Sequence, residues 1–308
     1  MHPFENIPNP TGKGAPTWGV SSLAIDSRGE RVAALQNGLG HIFDAASGKS
    51  TMTWREPGTA NHAHFLPDGS LLVVGQALHR VLQDGTIVKI GKKVFPGEDG
   101  PMRAVLSSEH VIAAHLWQDS KGDKGASFCV SVADGAVKWK SSDAYAHLLE
   151  TPTGLQALLD DQRVSLDATT GATTPIGVLP FVTYAALSHQ GKLWLADEGS
   201  RLVRLDHDGR IGASVDWPHG AIFDMVRVGT RLVLSSMESK PSPTVGTLDY
   251  WSLHSLDAET LGDLRRLPFR EACASLSWSE LDRVQALLAV GHTLWVGTGS
   301  GLLRIALE

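Results

Sequence analysis

The chain has 308 residues, of which 42% are hydrophobic and 19% charged, and its formal net charge at pH 7 is -6. Basic residues are scattered except for the doublets Lys92-Lys93 and Arg265-Arg266, which argues against a nucleic-acid-binding surface. The N-terminus lacks the basic start and apolar run of a secretory signal, and no stretch is long enough to span a membrane. We therefore expect no membrane partner. Cys129 and Cys273 are lone residues far apart in sequence, so we expect buried free thiols and a cytoplasmic protein.

Short apolar runs bounded by Gly or Asp recur along the chain and predict successive antiparallel hairpins. The turn between the third and fourth strands of the repeat recurs at Gly48, Gly85, Gly135, Gly171, Gly209 and Gly262, with separations of 37, 50, 36, 38 and 53 residues. A period near 37 residues is typical of propellers and solenoids. The turn between the first and second strands occurs seven times, at Gly29, Gly69, Glu109, Gly154, Gly191, Gly229 and Gly291. The prediction is an all-β fold, a seven-bladed β-propeller with four-stranded antiparallel blades and a single domain over residues 1–308.

The predicted blades follow one another along the chain as 21–55, 61–93, 101–142, 145–179, 181–217, 221–267 and 284–308. The seventh lacks a fourth strand, because the sequence stops where that strand would begin. An unpaired strand edge is an aggregation hazard. We therefore expect an N-terminal strand, within Pro3 to Ile7, to complete the last blade and close the ring.

Three segments lengthen the regular repeat. Residues 115–128 and 235–253 replace short connections between second and third strands, and residues 269–283 lead into the seventh blade. Such connections share one face of a propeller, so we expect one face with long loops. Within 269–283, Ser277 and Glu280 have the S-x-x-E spacing of a capping box, which predicts a short helix.

The strand-turn-strand pattern resembles a known superfamily. Residues 42–55 (IFDAASGKSTMTWR), 129–141 (CVSVADGAVKWKS) and 164–177 (VSLDATTGATTPIG) resemble the repeat of quinoprotein-like or YVTN-like propellers, in which an Asp-x-x-Thr-Gly turn precedes a strand often ending in Trp. The resemblance implies the propeller fold but not a quinone, because the paired adjacent cysteines of quinone dehydrogenases are missing. Residues 191–211 and 231–236 also resemble regucalcin and gluconolactonase propellers, without that family's metal-binding motifs. We expect no cofactor and no metal.

Polar residues at the starts of the inner strands would line the mouth of a propeller's channel, and we term them the channel-mouth set: His62, His64, Arg103, His147, Tyr184 and Asp224. His62 and His64 lie on one side of a strand and have a spacing that can chelate zinc, but a comparable third ligand is missing. Two hydrogen-bonded structural histidines are the alternative. Arg103 and Asp224 could form an internal ion pair or act in catalysis. The sequence has no nucleophile-elbow, phosphate-loop or zinc-protease motif.

Aromatic residues mark the long-loop segments instead. The candidates for partner binding are Trp117, Trp217, His219, Asp249, Tyr250 and Trp251. Trp and Tyr are favoured interface anchors, although tethering their own loops is the alternative role. Trp194 and Trp295 fall inside second strands and should belong to the core.

The leading hypothesis is therefore a monomeric, non-enzymatic scaffold that binds a protein or peptide through the long-loop face. The alternative is a small-molecule lyase or lactonase that works at the channel mouth. A third hypothesis is a domain of a bacterial multiprotein system.

Overall fold

Seven four-stranded antiparallel sheets are present in the computed structural model, which describes residues 4–8, 19–36, 39–55, 60–96, 100–119, 122–198, 201–242, 246–279 and 282–307. Strand β1 is Glu5–Ile7. The first blade contains β2 to β5, at Val20–Ile25, Arg31–Gln36, Leu39–Asp44 and Ser50–Arg55. The second contains β6 to β9, at Ala60–Phe65, Leu71–Gly75, Leu78–Val81 and Ile87–Ile90. The third contains β10 to β13, at Arg103–Ser107, His110–Asp119, Gly122–Ser131 and Val137–Ser141.

The remaining blades continue the same order. The fourth contains β14 to β17, at His147–Thr151, Gly154–Leu159, Gln162–Leu166 and Thr173–Val178. The fifth contains β18 to β21, at Ala185–His189, Lys192–Ala196, Arg201–Leu205 and Ile211–Asp216. The sixth contains β22 to β25, at Ala221–Val228, Arg231–Ser242, Gly246–Asp257 and Arg265–Leu267. Helix α1, Phe269–Ser275, precedes the seventh blade, which contains β26 to β28, at Val284–Val290, Thr293–Thr298 and Leu302–Ala306.

The seventh blade takes its fourth strand from the N-terminus. Its strand order is β1-β28-β27-β26, and β1 pairs antiparallel with β28 so that Glu5 lies opposite Arg304 and Ile7 opposite Leu302. The Arg304 guanidinium also donates to the Glu5 carboxylate, and Ile7 is 2% exposed. The predictions of a seven-bladed propeller with four-stranded blades, and of an N-terminal strand in the last one, are confirmed.

Aspartates at the starts of the third-to-fourth-strand turns stabilise them. The backbone N–H groups of Thr169 and Thr170 donate to Oδ1 of Asp167 over 2.8 and 2.9 Å, and Asp257 accepts from Glu259 and Thr260 in the same way. Backbone donors stabilise the ionised form, so they lower the pKa of both carboxyls. Both carboxylates therefore stabilise their turns.

The chain groups into two units. The first comprises Met1–Leu23, Ser47–Lys49 and Thr183–Glu308, and the second comprises Ala24–Ala46 and Ser50–Val182. In each unit the core consists of apolar side chains packed between consecutive blades. Cys129 and Cys273 are buried free thiols, as expected, and burial raises their pKa to about 11 and about 12.

Two of the three predicted long loops are extended strands, which corrects the sequence analysis. The 115–128 insertion lengthens β11 and β12, and the 235–253 insertion lengthens β23 and β24 until they pair from Arg231↔Asp257 to Ser242↔Gly246. The extra residues continue the hydrogen-bonded ladder beyond the blade, which satisfies backbone groups that a loop would leave to solvent.

Helix α1 lies where a helix was expected but begins earlier than the capping-box residues. Phe269 and Cys273, four positions apart, are buried on one side of it, so packing on the core stabilises this short helix. Ser277 follows the helix with a positive φ of 58° and so does not cap its N-terminus, and Glu280 lies outside the described residues. Within the described chain, no helix has the length and apolar character needed to cross a membrane.

Candidate functional site

The register of the sixth blade assembles a polar face on its extended hairpin. In an antiparallel pair, residues directly opposite each other share a face, and alternate residues along a strand do the same. Ser236 lies opposite Ser252, Glu238 opposite Tyr250, and His254 opposite both Leu234 and Arg266. The side chains of β23, β24 and β25 at these positions therefore point to one side of the blade.

This side of the blade changes from core to cavity along the hairpin. Leu234 and Leu256 are fully buried at its base, among the apolar side chains shared with the fifth blade. Beyond them lies an open cavity of about 360 Å³, lined by His219, Glu238, Lys240, Ser252, His254, Leu264, Arg266 and Arg270. All of these residues belong to the first unit.

A close backbone approach brings His219 to the cavity. The next residue, Gly220, has a φ of 81°, and a Cβ atom there would overlap the carbonyl oxygen of Met237 on β23. Only glycine therefore allows the chain entering the sixth blade to pass so near the hairpin.

Two histidines stack in the cavity against a buried indole. The rings of His219 and His254 lie 4.8 Å apart at an angle of 19°, and Trp217 meets each ring edge-on at a centroid distance of 5.1 Å. His254 is 4% exposed, and its Nε2 is buried without a hydrogen-bond partner among the described residues. Burial, together with the nearby charges of His219, Arg266 and Arg270, lowers the pKa of His254 to about 4, so its ring is neutral at pH 7.

Cations surround the histidine pair. Arg270 donates from Nε to the carbonyl of Trp251 over 3.1 Å, and its guanidinium lies 4.9 Å from the ring centre of Tyr250. Lys240 pairs with Glu238 at 3.1 Å on the exposed rim. Within the part of the chain that the structure describes, Arg266 and Arg270 form no ion pair. With one carboxylate against three cations, the cavity carries a net positive charge near pH 7.

The structure separates the partner-binding candidates of the first unit into surface and core residues. Asp249 is exposed, Tyr250 is partly exposed, and His219 lines the cavity. Trp217 and Trp251 are only 3% and 4% exposed. Both indoles are therefore buried: Trp251, at an inward-pointing position of β24, packs on Phe223, and Trp217 packs on the two histidine rings. Their role in partner binding stays a prediction.

Trp117 lies in the second unit, on the extended strand β11. It is partly buried, stacks on His115 with ring centres 5.4 Å apart, and has the Lys140 ammonium 5.5 Å from its ring. Phe95, Phe128 and neighbouring apolar side chains form the core beside it. Trp117 thus packs on the core near the tip of its own hairpin, and its role in binding stays a prediction.

Two of the three histidines of the channel-mouth set, His62 and His64, lie on β6. His62 Nε2 donates to the carbonyl of Pro101 over 3.0 Å, while His64 Nε2 is buried without a partner in the described chain. Burial lowers the pKa of each to about 4. The described residues contain no group of three or more His, Cys, Asp or Glu side chains placed to hold a metal ion.

The other members of the channel-mouth set have different environments. In the second unit, Arg103 is exposed at the start of β10 and His147 is buried at the start of β14. In the first unit, Tyr184 is 39% exposed and meets Phe223 edge-on. Asp224 accepts backbone hydrogen bonds from Met225 over 2.8 Å and Leu287 over 3.0 Å, which ties β22 to β26. The ion pair between Arg103 and Asp224 stays a prediction.

Most residues of the cavity are absent from the sequence-based candidates. His219 was one of the candidates for partner binding. The candidates did not include His254, Arg266, Arg270, Lys240 or Glu238. Alternation in 250–256 could have placed His254 beside Tyr250 on one face. The pairing with Arg266 needed the cross-strand register, which the sequence does not specify.

Comparisons with known proteins identify a fold and no family. No protein-family model and no curated protein matches the chain. Among solved structures, the computationally designed Ika8 protein is 10% identical and aligns over 96% of this chain and 98% of its own, with a TM-score of 0.61. BamB from Moraxella catarrhalis is 12% identical over 94% of this chain and 83% of its own, with a TM-score of 0.53. Both are propellers, and likeness at such low identity shows that the chain has the β-propeller fold.

Proposed function

We propose that the chain is a non-enzymatic scaffold that binds a peptide or a peptide segment of a protein. The binding surface is the outer part of the β23–β24 hairpin together with α1, in the first unit. One observation carries this proposal. Tyr250 is partly exposed between two cations, with Arg270 at 4.9 Å and Lys240 at 5.8 Å from its ring centre.

This arrangement suits recognition because it combines area with charge. Tyrosine buries much surface with few rotatable bonds, and Tyr and Arg are enriched in binding hot spots. The ladder of β23 and β24 and the hydrogen bond from Arg270 to Trp251 hold these groups before any partner arrives. Binding then costs less conformational entropy than ordering a loop would.

The alternative, a lyase or lactonase at the channel mouth, has weaker support. Its favourable observation is the pair His62 and His64, partly buried at alternate positions of β6, of which His64 has an unpartnered Nε2 in the described chain. A general base works best when its pKa lies near the operating pH, and His62 and His64 have pKa values of about 4. Both oxygens of Asp224 are already hydrogen-bonded to backbone N–H groups.

The finer assignments belong to the same proposal. We place the chain among quinoprotein-like or YVTN-like propellers, as a monomer in a bacterial cytoplasm. Support comes from third-to-fourth-strand turns that begin with Asp-Ala. The indoles of Trp139 and Trp194 donate to the alanine carbonyls of two of them, Ala168 and Ala258, over 2.9 and 2.8 Å. Two buried free thiols suit a reducing compartment.

Selection from a phage-displayed library of random peptides tests the proposal. The wild-type chain should retain a set of peptides, and Tyr250→Ala should weaken their binding by about 2 kcal/mol, the scale of an aromatic hot spot. Tyr184→Ala is the matched control, because Tyr184 is also a partly exposed tyrosine of the first unit but belongs to the channel-mouth set.

Equal losses in the two variants, or no retained peptide, would overturn the proposed function. Stoichiometric metal in the purified protein, with a melting temperature that falls on adding a chelator, would favour the enzyme instead.

A further inference from the structure

The cavity beside Tyr250 has the features of a site for an anion. Several arginines elsewhere in the first unit are neutralised by acids, as Arg231 is by Asp263 at 2.6 Å and Arg204 by Asp206 at 2.9 Å. Arg266 and Arg270 line the cavity without a carboxylate partner among the described residues. A guanidinium presents a planar fork of N–H donors that matches an oxyanion in geometry.

A second observation is independent of these charges. The His254 side chain lines the cavity, is more than nine-tenths buried, and leaves Nε2 without a hydrogen bond in the described chain. Leaving a buried polar atom unpaired costs free energy, and such atoms are rare in folded proteins. A ligand oxygen in the cavity would give this nitrogen the partner it lacks.

We propose that this cavity binds a carboxylate of an acidic peptide, so that the scaffold's partner is a segment rich in Asp or Glu. The inference rests on the proposed function and names the chemistry of its partner. Two unpaired arginines and the orphaned ring nitrogen hold the carboxylate. Tyr250 and Leu264, the latter 46% exposed, offer apolar contact to the flanking residues of the peptide.

Charge on the rim favours a carboxylate over a phosphate monoester. Glu238 lines the same opening, and its side chain is 47% exposed beside Lys240. A ligand with a charge near -2 meets more repulsion from this carboxylate than a single carboxylate does. A bound carboxylate also offsets the nearby cationic charges, so it raises the pKa of His254 from about 4.

The direct test uses the full chain and succinate as the probe, with succinamide as the neutral control. Succinate should cause saturable changes in the NMR signals of the His219 and His254 rings and raise the pKa of His254, and succinamide should not. Arg266→Gln and Arg270→Gln should each weaken succinate binding about tenfold, the scale of losing one charge-assisted hydrogen bond. Arg265→Gln is the matched control. Arg265 directly precedes Arg266 on β25, points to the other face and pairs with Asp263 at 2.7 Å.

Folding of each variant is checked by its melting temperature, and Arg266→Lys provides a second variant that keeps the charge and should retain most of the binding. Inorganic phosphate that binds more tightly than succinate, or equal effects of Arg265→Gln and Arg266→Gln, would overturn the carboxylate site.

Peptide selection separates the inference from the function on which it rests. Retained peptides enriched in Asp and Glu, and lost on Arg266→Gln, support both. Retained peptides that depend on Tyr250 but show no acidic bias sink the inference and leave the proposed function standing. Binding of succinate without any retained peptide overturns the peptide-binding function and leaves a site for small carboxylates.

Discussion

At the scale of single residues, tryptophans join neighbouring blades. Trp194 is fully buried, donates from Nε1 to the carbonyl of Ala258 over 2.8 Å, and has the Arg227 guanidinium 5.7 Å from its ring. Trp139 makes the equivalent bond to Ala168 over 2.9 Å. Each acceptor is the alanine that follows the aspartate of a third-to-fourth-strand turn. The turn thus supplies the carbonyl that accepts a hydrogen bond from the tryptophan of the preceding blade.

Trp194→Ala should lower the free energy of unfolding by about 3–5 kcal/mol, because it leaves a large cavity between the fifth and sixth blades. Trp194→Phe should cost about 1–3 kcal/mol, because the ring is largely kept but the Ala258 carbonyl loses its donor. Urea unfolding of both variants measures the difference. Tyr250→Ala serves as the surface control, and an equal loss of stability there would contradict the division between core and surface aromatics.

At the scale of elements, the N-terminal segment does more than complete a sheet. Phe4, which precedes β1, meets Phe269 of α1 edge-on with ring centres 6.3 Å apart. Ile7 packs so close to Gly48 that a Cβ atom there would clash with its side chain. The segment therefore ties the last blade to the helix and to the turn 47–49 of the same unit.

Deleting residues 1–8 should expose the edge of β28, lower the melting temperature and increase aggregation, because the unpaired edge can pair with other chains. Light scattering and thermal unfolding would measure both effects. A point variant separates packing from edge protection: Ile7→Ala should cost about 2–5 kcal/mol. Glu5→Ala, which removes an exposed ion pair, should cost about 1 kcal/mol or less. An unchanged melting curve for the deletion would refute the role of β1.

The extended hairpins show what the sequence could and could not predict about elements. The turns were readable because tight turns need particular residues: Gly209 has a φ of 80° between β20 and β21, and Ser108 takes a φ of 53° where the third blade lacks glycine. The insertions were not readable as strands, since 235–253 is polar on both sides near its tip. The additional backbone hydrogen bonds form in a segment that lacks the alternating hydrophobic pattern from which strands are predicted.

At the scale of the whole molecule, the blade count followed from the spacing of turns, whereas the cavity depended on register. A shift of one residue in a strand moves every side chain to the other face. In 250–256, Trp251 and Leu253 alternate with Tyr250, His254 and Leu256, and both sets contain apolar residues. The sequence therefore does not decide which of the two alternating sets faces solvent, and both Trp251 and Tyr250 were expected at the surface. Only the pairing of β24 with β23 and β25 decides between them.

Four histidines with lowered pKa values should make the stability of the molecule sensitive to mild acid. Burial lowers the pKa of His41, His62, His64 and His254 to about 4, against an ordinary value of 6.5. Between these values the unfolded chain binds more protons than the folded chain, so the free energy of unfolding falls as the pH drops from 6.5 towards 4. Carboxyls with lowered pKa values, such as Asp26, lose their contribution only at lower pH.

His41 isolates this effect, because its environment fixes its protonation. Its Nε2 donates to Oε1 of Gln36 over 3.1 Å, since an amide oxygen only accepts, and Nδ1 accepts from the Thr53 hydroxyl at 3.0 Å. A second proton on the ring would place a charge in this buried site, and the Thr53 hydroxyl would have to turn from donor to acceptor. Buried Asp282, whose pKa is raised by burial, works in the opposite direction, because its folded form gains a proton as the pH falls. A comparison with a His41 variant cancels that contribution.

Urea unfolding of the wild type and of His41→Gln at a series of pH values between about 7 and about 5 measures the proton difference directly. The wild type should lose stability steadily over this range. The variant should lose less, by up to about 1.4 kcal/mol for each pH unit below the ordinary pKa, which is the slope of one proton. Because the variant starts from a lower stability at neutral pH, the two curves should converge as the pH falls. Parallel curves would contradict this prediction, because they would mean that His41 takes up no proton on unfolding.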